Sequence, residues 1–155
     1  MSDGFYLNAV EDRYYIETSG ITDEAQLTGE TAKWAELAAG ISTVDTDDSD
    51  DSSSESYYDG DGTSTTDITG ITTGYSFSGK RYKGDAAQDF VAKMRFQTGN
   101  GRIAGMKHVD ADGNGEVGMA TWQDISVTGG DANDKGNFSV TAHYRGKPAT
   151  VTAGA

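Results

Sequence analysis

Apolar and polar residues alternate with a period of two over much of this chain, and the period changes once. In "ITTGYSFSGK" the residues Ile71, Thr73, Tyr75 and Phe77 fall on one face, with Thr72, Gly74, Ser76 and Ser78 on the other. That is the period of a half-buried strand. "EVGMATWQDISVT" repeats it, which places Val117, Met119, Ile125 and Val127 inward and Trp122 on the opposite face. "NFSVTAHYRG" sets Phe138, Val140, Ala142 and Tyr144 against Ser139, Thr141, His143 and Arg145, and the N-terminal "FYLNAVEDRYYIET" is strand-like but less regular. In "GDAAQDFVAKMRFQTGNG" the spacing of Ala87, Phe90, Val91 and Met94 becomes helical. It predicts one helix over about residues 85–97. Asp85 is its N-cap, Gln88 stands three residues on in the manner of a capping box, and Gly99 offers a stop. "TAKWAELAAGI" has helical propensity, yet Trp34 and Leu37 alone give it only a thin apolar face.

These elements predict a mainly β domain with one α-helix. The 155 residues suffice for a single domain with its own core. The 21 glycines and single proline favour short strands joined by turns, and the absence of cysteine excludes disulfides and thiolate metal sites. The start "MSDGFYLNAV" lacks the basic and apolar regions of a signal peptide, and no run approaches the roughly 20 apolar residues of a membrane span. The expectation is a soluble protein made in a cytoplasm.

Charge sharpens the picture. The formal net charge is −13, which repels phosphate backbones and argues against direct nucleic-acid binding. No basic residue occurs between Lys33 and Lys80, while Asp45, Asp47, Asp48, Asp50, Asp51, Glu55, Asp59, Asp61 and Asp67 crowd one stretch. Its centre, "DTDDSDDSSSES", has nothing to bury, so residues 42–67 are expected to be a long solvated loop within the domain.

Candidate chemistry is sparse. "HVDADGNGEV" resembles a calcium loop through Asp110, Asp112, Asn114, Gly115 and Glu116, but Thr121 stands where the bidentate Glu belongs and no helices flank it. A hairpin turn between strands Ile103–Val109 and Glu116–Val127 is the better reading. The two histidines, His108 and His143, lie on different strands and are expected to face solvent. No Ser elbow or phosphate-binding glycine loop occurs, and the carboxylates lack an apolar pocket to separate their pKa values. No catalytic residue, metal site or cofactor is expected, and the chain is not expected to be an enzyme.

Taken in order, the segments resemble the major tail tube proteins of long non-contractile-tailed bacteriophages. The likeness begins with "DGFYLNAVEDRYYI" and continues with "KWAELAAGIST", similar to the family's Trp-x-x-Leu-x-x-Gly-Ile segment. "YYDGDGTSTTDITG" resembles its Tyr-Tyr-Asp-Gly block. "TTGYSFSGKRYKGDAAQDFV" resembles its strand, Ser-Gly-x-Arg turn and Gly-Asp-x-Ala-Gln-Asp-Phe helix start. "HVDADGNGEV" and "GGDANDKGNFSVTAHYRGKP" are similar to the closing hairpin, the Gly-Gly-Asp-Ala turn and the last strand before Gly-x-Pro. The Asp45–Glu55 insert is more acidic than the family pattern.

The resemblance implies a β-sandwich or half-barrel with one helix, and a strand rather than a helix at "TAKWAELAAGI". It also implies homo-oligomeric rings, hexameric in the usual case, stacked around a tape-measure protein, with tail terminator and distal tail proteins at the ends. DNA would pass through the lumen without specific binding, and Glu116, Asp124 and Thr128 are expected to line that lumen. The Asp45–Asp67 loop is expected at a contact between subunits or rings, and both it and a flexible N-terminal arm are expected to order only there. The alternative from another class is a secreted calcium-binding β-module of the adhesin or carbohydrate-binding type, which a chelator would destabilise.

Overall fold

The computed structural model describes residues 4–21, 27 and 32–152. A single helical turn, α1 (Asn8–Glu11), leads into β1 (Arg13–Glu17). Two strands follow in the ambiguous segment, β2 (Trp34–Glu36) and β3 (Ile41–Thr46). The resemblance therefore predicts this region correctly where helix propensity does not, because β2 pairs antiparallel with β1, Ala35 opposite Ile16. Next come β4 (Ser49–Ser56), β5 (Ser64–Thr72), β6 (Gly74–Lys80) and the helix α2 (Ala86–Met94). The chain closes with β7 (Ile103–Val109), β8 (Gly115–Ser126), β9 (Asn137–Tyr144) and β10 (Ala149–Val151).

The main sheet runs β2-β1-β7-β8-β9-β6-β3, with β10 added to β8. Its pairs are antiparallel. Strands β2 and β3 stand at its two ends, yet only residues 37–40 separate them. Five residue steps reach at most about 18 Å, whereas a flat sheet of seven strands would be roughly 29 Å wide. The sheet must therefore curl until its ends approach, which makes a half-barrel. Rings from opposite walls meet inside: Tyr14 of β1 lies 5.1 Å from Tyr75 and 5.4 Å from Phe77 of β6, centroid to centroid. The core holds Ile16, Phe77, Met106, Trp122, Phe138 and Val140, with Ala87, Val91 and Met94 of α2 packed against it.

The β8 phase differs from expectation. Trp122 is wholly buried with Ala120, stacks on Phe77 at 6.2 Å, and donates from Nε1 to the Ala104 carbonyl at 3.1 Å. Its register with β9 shifts between Gln123 and Ser126, where Asp124 adopts φ 54°. This bulge inserts a residue and reverses the alternation, so Ile125 and Val127 still pack against the core. Two further corrections concern Ile71 and α2. Ile71 is exposed, because the expected single strand breaks at Thr73 into β5 and β6. The helix ends at Met94, five residues before Gly99, whose φ of +58° opens a short 3-10 turn instead.

Three of the motifs named above converge at one point. A side chain at Gly79 would strike the carbonyl of Gly40, whose φ is +77°. Gln88 seals the junction. It is fully buried, donates to the carbonyls of Ala39 (2.7 Å) and Lys80 (3.2 Å), and accepts from the Tyr82 amide (2.8 Å) and Arg81 Nη1 (3.2 Å). The cap works in one direction only: Asp85 accepts from the Gln88 amide at 3.1 Å, while the Gln88 side chain is committed to the junction. Gln88→Leu removes the hydrogen bonds to the Ala39 and Lys80 carbonyls and from the Tyr82 amide. An unfolding titration is expected to show a loss of about 2–4 kcal/mol, from roughly 0.5–1.5 kcal/mol per hydrogen bond.

Candidate functional site

Residues 42–67, expected to be a loop, are largely strand. β3 joins the main sheet, and β4 pairs with β5 as a separate two-stranded ribbon, Ser49 opposite Thr72 through Ser56 opposite Ser64. The sequence conceals this because the ribbon buries neither face: all of β4, and all of β5 but Gly70, is exposed. Pairing by backbone and by hydroxyls holds it, with Ser54 bonded to Thr66 (2.9 Å) and Ser56 to Ser64 (3.0 Å). The cross-strand register puts Asp50, Ile68 and Ile71 on the face of those hydroxyls, and Asp51, Glu55 and Asp67 on the other. Tyr57 and Tyr58 stand exposed at its tip.

The root of the ribbon is fixed to the half-barrel. The Asp47 amide donates to the Gly74 carbonyl (2.9 Å), Asp48 accepts from the Gly74 amide (3.2 Å), and His143 Nε2 meets Asp47 at 2.7 Å. His143 thus serves the root, and solvent reaches only part of it.

Beneath the root the interior turns polar. Glu116 accepts from the hydroxyls of Tyr75 (2.8 Å) and Tyr144 (3.0 Å) and faces His108 Nδ1 at 3.1 Å. The other ring nitrogen, His108 Nε2, lies 3.0 Å from Asp12, and Tyr14 stacks on the imidazole at 4.8 Å. The expectation that His108 faces solvent is therefore corrected: His108 shares the inward face of β7 with Met106 and Ala104. Both nitrogens face carboxylates, and only the protonated ring donates from both.

Burial alone would lower the His108 pKa, but hydrogen bonds to Glu116 and Asp12 outweigh it, and the value stands above the usual 6.5. Burial would raise Glu116, but the bonds from His108 and Tyr75 hold it below its usual 4.5. Burial first, then the nearby carboxylates, lift Tyr14 to about 12 and raise Tyr75 and Tyr144 further.

The pH dependence follows with opposite signs. The stabilisation from the raised His108 is complete below 6.5 and is lost as pH climbs through its folded value. That from the lowered Glu116 is present above 4.5 and is lost as pH falls through its folded value. Melting temperature is thus expected to peak between these two limits. His108→Gln, which keeps a donor without titrating, is expected to flatten the alkaline limb.

Among the described residues two surfaces lack partners. The outer edge of β3 ends the sheet and borders a cleft of about 690 Å³ between Tyr14, Leu37, Ile41 and Val44. It is the seam where the two ends of the curled sheet approach without pairing. Near it Phe5, Tyr6, Leu7 and Val10 present apolar side chains to solvent.

Other expected site residues are scattered. Asp110 to Asn114 form the expected hairpin turn: the Asp110 carboxylate accepts the amides of Asp112 (2.9 Å) and Asn114 (3.0 Å), and Gly113 takes φ +89°. Glu116 belongs to the tyrosine network. Asp124 and Thr128 are exposed. Among the described residues no group of three His, Cys, Asp or Glu is placed to hold a metal ion, and no helix is long and apolar enough to cross a membrane.

This mainly antiparallel half-barrel with one principal helix is the fold of phage tail tube proteins. A chain from the tail of an empty gene transfer agent particle, determined by helical refinement with C6 symmetry, shares it at a TM-score of 0.66 and 11% identity. The match covers 97% of this chain and 100% of that one. A chain from the virion of a native gene transfer agent particle matches at a TM-score of 0.59 and 13% identity, over 90% of this chain and 95% of the other. No family model and no curated protein matches the sequence.

Proposed function

We propose that this chain is a structural subunit of a phage-like tail. In this reading copies form six-membered rings that stack into a tube around a tape-measure protein. Tail terminator and distal tail proteins bound the tube, which conducts DNA from the virion into the host. Assembly takes place in the host cytoplasm, and the subunit has no catalytic role and needs no cofactor. The observation that carries the reading is the end-to-end correspondence with a chain of a C6-symmetric helical tail.

The unfinished surfaces support it. An unpaired sheet edge and a ribbon with two exposed faces are costly in a lone molecule, and repetition around a ring covers both. The charge of −13 suits a conduit, whose wall must repel the duplex that slides through it. Negative-stain microscopy of concentrated protein tests this directly. Hollow tubes of uniform diameter with six-fold end views are the expected result, and solitary particles at every concentration would refute it.

A further inference from the structure

The ribbon and the α2 region of this molecule differ in the sign of their net charge. The ribbon leaves the half-barrel at the Gly74 end of β6, whereas α2 follows from the Lys80 end, roughly 20 Å away by strand rise. Every ionisable side chain from Asp45 to Asp67 that carries charge at neutral pH is acidic, while in the α2 region Lys80, Arg81, Lys83, Lys93, Arg95 and Arg102 outnumber the acidic Asp85 and Asp89. Some of those cations are already engaged. Arg81 pairs with Asp89 at 2.7 Å, and Arg102 donates to the carbonyls of Gln97 and Arg95 (2.9 and 2.7 Å). Lys83, Lys93 and Arg95 are exposed and form no salt bridge among the described residues. Phe96 and Tyr82 lie exposed beside them in sequence.

We propose that the acidic face of the ribbon of one copy docks on the α2 end of a second copy, with Asp51, Glu55 and Asp67 meeting Lys83, Lys93 and Arg95. This rests on the tail-subunit reading and names the surface that receives the ribbon. A two-stranded ribbon is at best marginally stable alone, and its charged face requires a partner of opposite sign. The α2 end provides one on every copy, with exposed aromatics to exclude water around the pairs. Donor and acceptor surfaces sit at opposite ends, so the contact is heterologous, does not close on itself, and propagates as a stack. Carboxylates brought together at the ribbon repel one another in the free subunit, and the docked cations relieve that repulsion.

The test is a charge swap read by sedimentation and microscopy at low salt, where such pairs are least screened. Lys83→Glu/Lys93→Glu/Arg95→Glu is expected to raise the concentration needed for tubes at least ~10-fold. Asp51→Lys/Glu55→Lys/Asp67→Lys is expected to do the same. An equimolar mixture of the two variants is expected to assemble near the wild-type concentration, because each supplies one surface the other can use. The neutral variant Lys83→Gln/Lys93→Gln/Arg95→Gln, checked for an unchanged melting temperature, reads the same surface if reversal disturbs folding, and it too is expected to assemble poorly. Tubes from either α2 variant at the wild-type concentration would overturn the docking while leaving the tail reading intact, as would a mixture that fails to recover. Failure of the wild type itself to assemble would overturn both.

Discussion

Replacing residues 49–72 by a two-residue Asn-Gly turn is expected to leave a folded protein that no longer assembles. The ribbon adds nothing to the core, since all its residues but Gly60 and Gly70 are exposed. The bonds at its root, Asp47 to His143 and Asp48 to the Gly74 amide, lie outside the excised segment. A short turn of this type matches the strand twist, and removal of six carboxylates eases self-repulsion. The melting temperature is therefore expected to hold within a few degrees or to rise, while tube formation disappears. A truncated protein that still makes tubes would show the ribbon to be dispensable and would shift the assembly contacts to the β3 edge and the N-terminal apolar residues.

Trp122→Ala is expected to be the most destabilising single substitution, costing about 3–5 kcal/mol. The indole is fully buried, stacked on Phe77, and bonded to the Ala104 carbonyl. Its loss leaves a cavity at the centre of the half-barrel and removes the hydrogen bond to the Ala104 carbonyl. Gln123→Ala, one residue on and exposed, is expected to change stability by less than about 0.5 kcal/mol. A urea titration of the two variants reads the phase of β8 directly. Near-equal, small effects would mean that Trp122 faces outward, as simple alternation along the sequence implies.

That comparison marks what was legible in the chain. Where one face is buried and the strand is regular, alternation suffices: Phe138, Val140, Ala142 and Tyr144 all point inward as expected. The α2 start was legible through Asp85 and the spacing of Ala87, Val91 and Met94. Alternation fails in β8 because a bulge at Asp124 is a backbone event that no apolar residue signals. It fails in the ribbon because a strand that buries neither face has no hydrophobic pattern, so an Asp/Ser run and a strand look alike.

The polar network was illegible for another reason. Asp12, Tyr14, Tyr75, His108, Glu116 and Tyr144 come from distant segments, and only the curl of the sheet brings them together. His108 and Glu116 do carry one readable signal, as directly paired residues of a predicted hairpin. The motif glycines Gly40 and Gly79 likewise acquire their meaning only where two segments cross.

The central claim is that the ribbon and the free edge of β3 are completed by other copies of this molecule. Amide hydrogen exchange across residues 41–72, measured on dilute monomer and on assembled material, tests it most directly. The account predicts fast exchange in the monomer and strong protection of β3, β4 and β5 in the assembly, with β7 to β9 slow in both. Equal protection of residues 41–72 in the two states would contradict it.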